Sequence, residues 1–152
     1  MRLILAILLV VLFAVACSKN NFTTKPQLKI KSVNTTELSR NDDLQFTMRL
    51  TDKEGDFTTF LGYSKTVVNC PAGNFADSSL LQIPQKFLDA HLNEGDVVID
   101  LSDVILKGDN DCTVAGGGGT PQTDTAVYSF WTKDKAGNVS DTVKSVPIII
   151  HP

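Results

Sequence analysis

The sequence predicts an all-β fold of about seven short strands, arranged as a sandwich or a barrel, on the strength of three observations. Leu44, Phe46, Met48 and Leu50 alternate with Gln45, Thr47, Arg49 and Thr51 without a fault, which is the period of a half-buried strand and not of a helix. Beyond residue 16 the chain holds 15 Thr and only 6 Ala, a bias toward pleated structure. Turn-forming clusters separate most of the apolar runs: Asp42-Asp43, Glu54-Gly55-Asp56, Ala72-Gly73-Asn74, Glu94-Gly95-Asp96 and Ala136-Gly137-Asn138.

The chain opens with Met1-Arg2 and an unbroken apolar run over residues 3–16. That run is shorter than the ~20 residues a transmembrane helix needs and has the length of a signal-peptide core. It ends Phe13-Ala14-Val15-Ala16-Cys17, which resembles a bacterial lipobox, with Ala14 where Leu is commoner. The resemblance implies cleavage after residue 16 and a lipid on Cys17; an ordinary cleaved signal peptide and a membrane anchor that is never removed are the alternatives. Residues 17–26 then read as the lipidated cysteine and a polar tether closed by Pro26, and 27–152 as the folded domain. Residues 18–26 reach at most ~30 Å when extended. Ser18-Lys19 carries no acidic inner-membrane retention signal, so the expected address is the outer membrane, on either face.

The strands follow in order. Residues 27–33 form the first, with Leu28 and Ile30 inward, and 44–51 the second. Residues 58–68, rich in Thr and carrying Phe60 and Tyr63, make the third; 79–83, ended by Pro84, the fourth. Residues 85–92 are a connection able to form a turn or two of helix after the proline. The fifth strand, 96–101, puts Val97, Ile99 and Leu101 on one face. The sixth, 125–132, is apolar enough to be buried on both faces, which expects Trp131 in the core, with a sugar-stacking platform as the alternative. Residues 143–150 close the chain. Gly116 to Gly119 sit in a long loop; no Lys-Ser/Thr follows them, so they are not a phosphate loop.

With Cys17 lipidated, Cys70 and Cys112 are an even pair in an oxidising compartment. A disulfide between them would constrain the unfolded chain by about 4 kcal/mol on the loop-entropy account. Two buried thiols or a metal pair are the alternatives, although no His or Cys cluster accompanies either residue.

From Tyr128 through Asp134-Lys135-Ala136-Gly137-Asn138-Val139-Ser140-Asp141, an aromatic strand runs into a D-x-A-G-N-x-S-D turn. This resembles the last two strands of bacterial immunoglobulin-like domains, and Leu50 to Asp56 is similar to the turn after their second strand. Small outer-membrane lipoproteins of the Bacteroidota look like the whole arrangement. The resemblance implies an immunoglobulin-like β-sandwich and no particular ligand. Lettered A to G in order, the B–C and F–G loops would share one end, nearer the lipid. The C–D loop with Cys70 and the E–F loop with Cys112 would share the other.

The chemistry-bearing residues are few. His91 and His151 are far apart in sequence, and no G-x-S-x-G, H-E-x-x-H or cysteine with a local base is present, so no catalytic residue is assigned. The acidic turns are more informative. Asp52, Glu54 and Asp56 around Gly55, with Asp134, Asn138 and Asp141 from the F–G turn, offer the oxygen ligands that calcium takes. The same residues also make self-capping polar turns, and both readings stand. Asp109 and Asp111 belong to the opposite end.

Thirteen Lys+Arg against 17 Asp+Glu beyond the leader give no basic footprint for nucleic acid. The expectation is a non-catalytic protein attached to the bilayer through its N-terminal lipid, an interaction module presenting loops to an envelope protein or a glycan. A structural accessory subunit of an outer-membrane complex is the alternative, and a hydrolase with an unrecognised site the third.

Overall fold

The computed structural model describes residues 23–39, 42–69, 75–101 and 123–151. The leader, Cys17, Cys70, Cys112, Asp109, Asp111 and the Gly-rich run lie outside the described residues, and so does the disulfide expectation. The strands are β1 (Gln27–Val33), β2 (Glu37–Leu38), β3 (Gln45–Thr51), β4 (Phe57–Val67), β5 (Phe75–Gln82), β6 (Glu94–Asp100), β7 (Asp124–Asp134), β8 (Val143–Lys144) and β9 (Ile148–Ile150); one short helix, α1 (Gln85–Asp89), follows β5. The chain is all-β, in two sheets. One has the order β1-β3-β6, the other β2-β9-β7-β4-β5, with β8 added to β7.

The alternation in β3 does what its period requires. Leu44, Phe46, Met48 and Leu50 are fully buried while Gln45, Thr47, Arg49 and Thr51 face outward. From the centre of the small sheet Phe46 meets Phe130 edge-on, centroids 5.0 Å apart, and Tyr128 at 5.7 Å, both on β7 in the other sheet. These contacts join the two layers around one core that also takes Leu28, Leu61, Tyr63, Val97, Ile99 and Leu101.

Several expectations change. The sixth strand is not buried on both faces: β7 alternates, with Tyr128, Phe130, Thr132 and Asp134 inward and Trp131 on the outer face, so Trp131 is not core. Parity decides this, since successive side chains of a strand point to opposite faces. Glu94-Gly95-Asp96 is no turn; it pairs with Thr51, Leu50 and Arg49 as the start of β6. Gly95 is small there for packing, because a Cβ would fall 2.6 Å from Cε2 of Phe87. The fourth strand pairs with β4 as a hairpin in the larger sheet. The closing strand divides into β8 and β9 around Pro147, which has no N–H to donate to a ladder, and β2 adds a two-residue parallel pairing with β9.

Hydrogen bonds between neighbouring segments define the two ends of the described chain. At one end Val68 donates its N–H to Thr125, and the Asn69 side chain both donates to Thr123 O and accepts from Thr125 N, so the chain before Cys70 lies against the chain that leaves the 102–122 segment. At the other end lie residues 52–56, residues 135–141 and the start of the described chain at Thr23.

On the outer face of the small sheet, Arg49 holds Asp96 through Nε (2.6 Å) and Nη2 (3.2 Å), and Lys31 reaches the same carboxylate at 3.0 Å. Those hydrogen bonds, Arg49's first, hold the Asp96 carboxyl down from the ordinary 3.8 to about 2. A depressed carboxylate contributes stability that is present above its unfolded pKa and lost as pH falls through the folded one. Asp96→Asn is therefore expected to flatten the acid limb of stability between about pH 4 and pH 2. The effect should be modest and weaken in salt, because the group is solvated; urea midpoints measured across that range check it.

Candidate functional site

The site is assembled where two core-facing strands run out. Asp52 lies two residues beyond Leu50 and so inherits the inward parity of β3; Asp134 lies two beyond Thr132 on β7 and does the same. Both carboxylates are consequently buried, at 1% and 2% exposure. Asp56, half-buried, precedes Phe57, which is paired with Asp134 across β4 and β7. One oxygen from each of Asp52, Asp56 and Asp134 lies within 4.8 Å of the others.

The turns that present these groups are tightly determined. Gly55 adopts a φ of +65°, and a Cβ there would sit 3.1 Å from Leu92 O, so a left-handed residue without a side chain is required. Asp52 Oδ2 accepts the N–H of Asp56 at 3.3 Å, whereas its Oδ1 is buried with no hydrogen-bond partner among the described residues. Asp134 Oδ1 accepts the N–H of Asn138 (2.7 Å) and Oδ2 its side-chain amide (2.6 Å). Lys135 donates its N–H to Asp56 O, locking one turn to the other.

Of the six oxygen-bearing residues expected from sequence, the structure brings three together. Asn138 stands behind them as a donor to Asp134 and also reaches Thr24 O at 3.3 Å. Glu54 is exposed outside the cluster, and Asp141 is spent on an exposed ion pair with Lys25 at 2.6 Å. Sequence reasoning missed Asn93, whose carbonyl accepts the N–H of Asp52 and whose side chain donates to Lys53 O. Nothing in its local pattern marks it, since its partners are 40 residues away in the chain.

Among the described residues no Lys or Arg pairs with Asp52, Asp56 or Asp134. The Asp56 carboxyl is pushed above its ordinary value, by its burial first, then by the facing Asp52 carboxyl, then by the charge of Asp134. Three oxygen donors and no nitrogen or sulfur make a group suited to a hard cation.

Two other constellations lie outside the acidic cluster. On the outer face of the larger sheet Leu80, Gly62 and Trp131 lie in one row across β5, β4 and β7. The indole lies over Gly62, where a Cβ would overlap Cε2, Nε1 and Cζ2. Phe60, two residues before Gly62 on β4, faces out beside it by the same alternation. Phe60 is 50% exposed and Leu80 63%, and with Val139 they border a hollow of about 300 Å³. At the other end of the fold, His151 Nε2 lies 2.8 Å from Glu37 Oε1 and its Nδ1 3.5 Å from Thr123 Oγ1. This is an exposed clasp between the chain end and β2, with the hydroxyl at the limit of contact.

No protein-family model and no curated protein matches the chain. Among solved structures it is similar to the sporulation control protein Spo0M from Bacillus subtilis, at 10% identity and a TM-score of 0.46, over 86% of this chain and 51% of that one. It is also similar to a β-glucosidase from Listeria innocua, crystallised with gluconolactone, at 12% identity and a TM-score of 0.39, over 84% of this chain and 16% of that one. The chain thus spans about half the length of the first and a sixth of the second, and at these scores the likeness says nothing of what it does.

A carboxyl whose pKa is raised in the fold costs stability that grows as pH rises above its unfolded pKa and is complete above the folded one. Asp56→Asn, which removes one of three crowded charges, is expected to raise the melting temperature by about 2–5 °C at pH 7 without divalent cations. The gap from the unchanged protein should close below about pH 4, where both are neutral at this position; calorimetric scans at the two pH values check it.

Proposed function

We propose that this chain is a non-catalytic envelope protein, lipid-anchored to the bacterial outer membrane through Cys17, whose immunoglobulin-like sandwich binds a protein or a glycan. The strand order supports the immunoglobulin-like part. With β1, β3 and β6 as A, B and E, and β5, β4, β7 and β9 as C′, C, F and G, it corresponds to A-B-E facing C′-C-F-G, the grouping of such sandwiches with the fourth strand on the C-F-G side. The aromatic strand ending in the Asp134–Asp141 turn is then strand F. The apolar run ending at Cys17 remains the support for the anchor and its address.

The observation that carries the binding reading is the outward face around Trp131. Exposed Phe60, Leu80 and Val139 around a tryptophan laid over a glycine form a rigid, contiguous apolar surface. Such a patch is uncommon on a surface that meets only water. An indole held by the sheet loses little freedom on binding and offers a flat face to a sugar ring or an apolar side chain. The described residues lining the hollow include no histidine and no carboxylate, which fits recognition better than turnover. Because the hollow lies open on a sheet face, it suits the accessory-subunit reading as well as a free receptor, and the two differ in the partner recovered.

Capture from native outer membranes after mild crosslinking, with the lipidated full chain as bait, tests the proposal. A single partner or glycan is expected to be recovered, to be lost with Leu80→Lys while melting is unchanged, and to shift the emission of Trp131, the chain's one tryptophan. Equal recovery with Leu80→Lys and a constant emission would contradict it.

A further inference from the structure

We propose that Asp52, Asp56 and Asp134 form a calcium site that fastens the β3–β4 turn, the β7–β8 turn and the N-terminal segment to one another. The proposal does not depend on the binding-module reading.

Convergence is the first ground. Carboxylates from two turns far apart in sequence present oxygens within 4.8 Å of one another. Ligand oxygens around calcium lie at about 2.4 Å from the ion, so any two of them are at most about 4.8 Å apart. The donors are all oxygen, which selects a hard ion, and calcium's variable coordination suits a site completed by water and main-chain carbonyls.

The second ground is independent of the clustering. Asp52 is 99% buried and its Oδ1 has no hydrogen-bond partner among the described residues. A buried acceptor of that kind is costly unless something positive meets it, and among the described residues no Lys or Arg pairs with any of the three carboxylates. Asp134 uses each oxygen once, to accept from Asn138, and an ionised carboxylate keeps further lone pairs for a metal.

The consequence lies in what the ion would hold. Asp52 and Asp56 bracket the first turn, Asp134 opens the second, and Asn138 links Asp134 to Thr24 O. Lys53 donates its N–H to Thr23 O on the other side of the same segment. Calcium thereby fixes how the folded domain leaves the chain that precedes it, and it does so with an affinity of the order of 10⁻⁴–10⁻³ M, the range of extracellular modules.

The test uses the full chain in detergent, freed of metal with EDTA, followed by thermal melting and titration calorimetry with calcium chloride. About 5 mM calcium is expected to raise the melting temperature by about 5 °C, and the same concentration of magnesium by less than half as much. Asp52→Asn and Asp56→Asn should each lose the shift; the second, at a half-buried position, carries the test if the first does not fold. Glu54→Gln should keep it. Absence of a shift and of binding heat up to about 5 mM calcium would overturn the proposal, as would a full shift in Asp56→Asn. An equal response to magnesium would overturn the assignment to calcium.

Discussion

The seating of Phe46 against Tyr128 and Phe130 is the contact on which the rest of this structure depends. It is made between the centre of the small sheet and β7 of the larger one, and it fixes which face of each strand looks inward. Once Phe46 and Phe130 are inward, period-two geometry leaves no freedom for their neighbours on the same strands. Arg49 must face water, where it finds Asp96. Trp131 must face outward too, and it lies over Gly62 because that position has no side chain to hold it off. Asp52 and Asp134 fall on inward positions just past the last core residues, so the same parity that buries Leu50 and Thr132 buries two carboxylates at one rim.

That rim and the opposite end of the sandwich bury charge in different ways. Lys65 and Asp124 occupy inward positions on neighbouring strands β4 and β7, and both are engaged in polar or ionic interactions there. Charges of both signs inside a core can be accommodated when each is met. The Asp52–Asp56–Asp134 rim has only one sign among the described residues, so its balance must come from a proton or an ion. Thr23 and Thr24, expected from sequence to be free tether, are instead hydrogen-bonded at this rim to Lys53 and Asn138. The last residues of the linker behave as part of the domain.

Much of the fold was legible because one strand declared its period. β3 and β1 lie where the alternation and the flanking turns put them, and Leu44, Phe46, Met48 and Leu50 were identifiable as core from spacing alone. The convergence of the two acidic turns was likewise readable, since strand order sets which loops share an end. Reading the parity of β3 and β7 past their ends would have separated Asp52 and Asp134 from Asp141. What failed had a common physical origin. Glycine serves both turns and close packing, so Gly95 beneath Phe87 looked like a turn. An apolar strand looks doubly buried when an outward tryptophan is covering the sheet itself, as Trp131 covers Gly62. The two-residue strands β2 and β8 depend on partners distant in the chain that leave no local pattern.

A double-mutant cycle between Phe46 and Phe130 tests the central contact most directly. Phe46→Leu and Phe130→Leu, separately and together, would be unfolded in urea and their free energies compared. Ring contact across the two sheets predicts a coupling of about 0.5–1.5 kcal/mol beyond the loss from area alone. Strict additivity, within about 0.3 kcal/mol, would mean that the two rings do not meet and that the sheets are joined elsewhere.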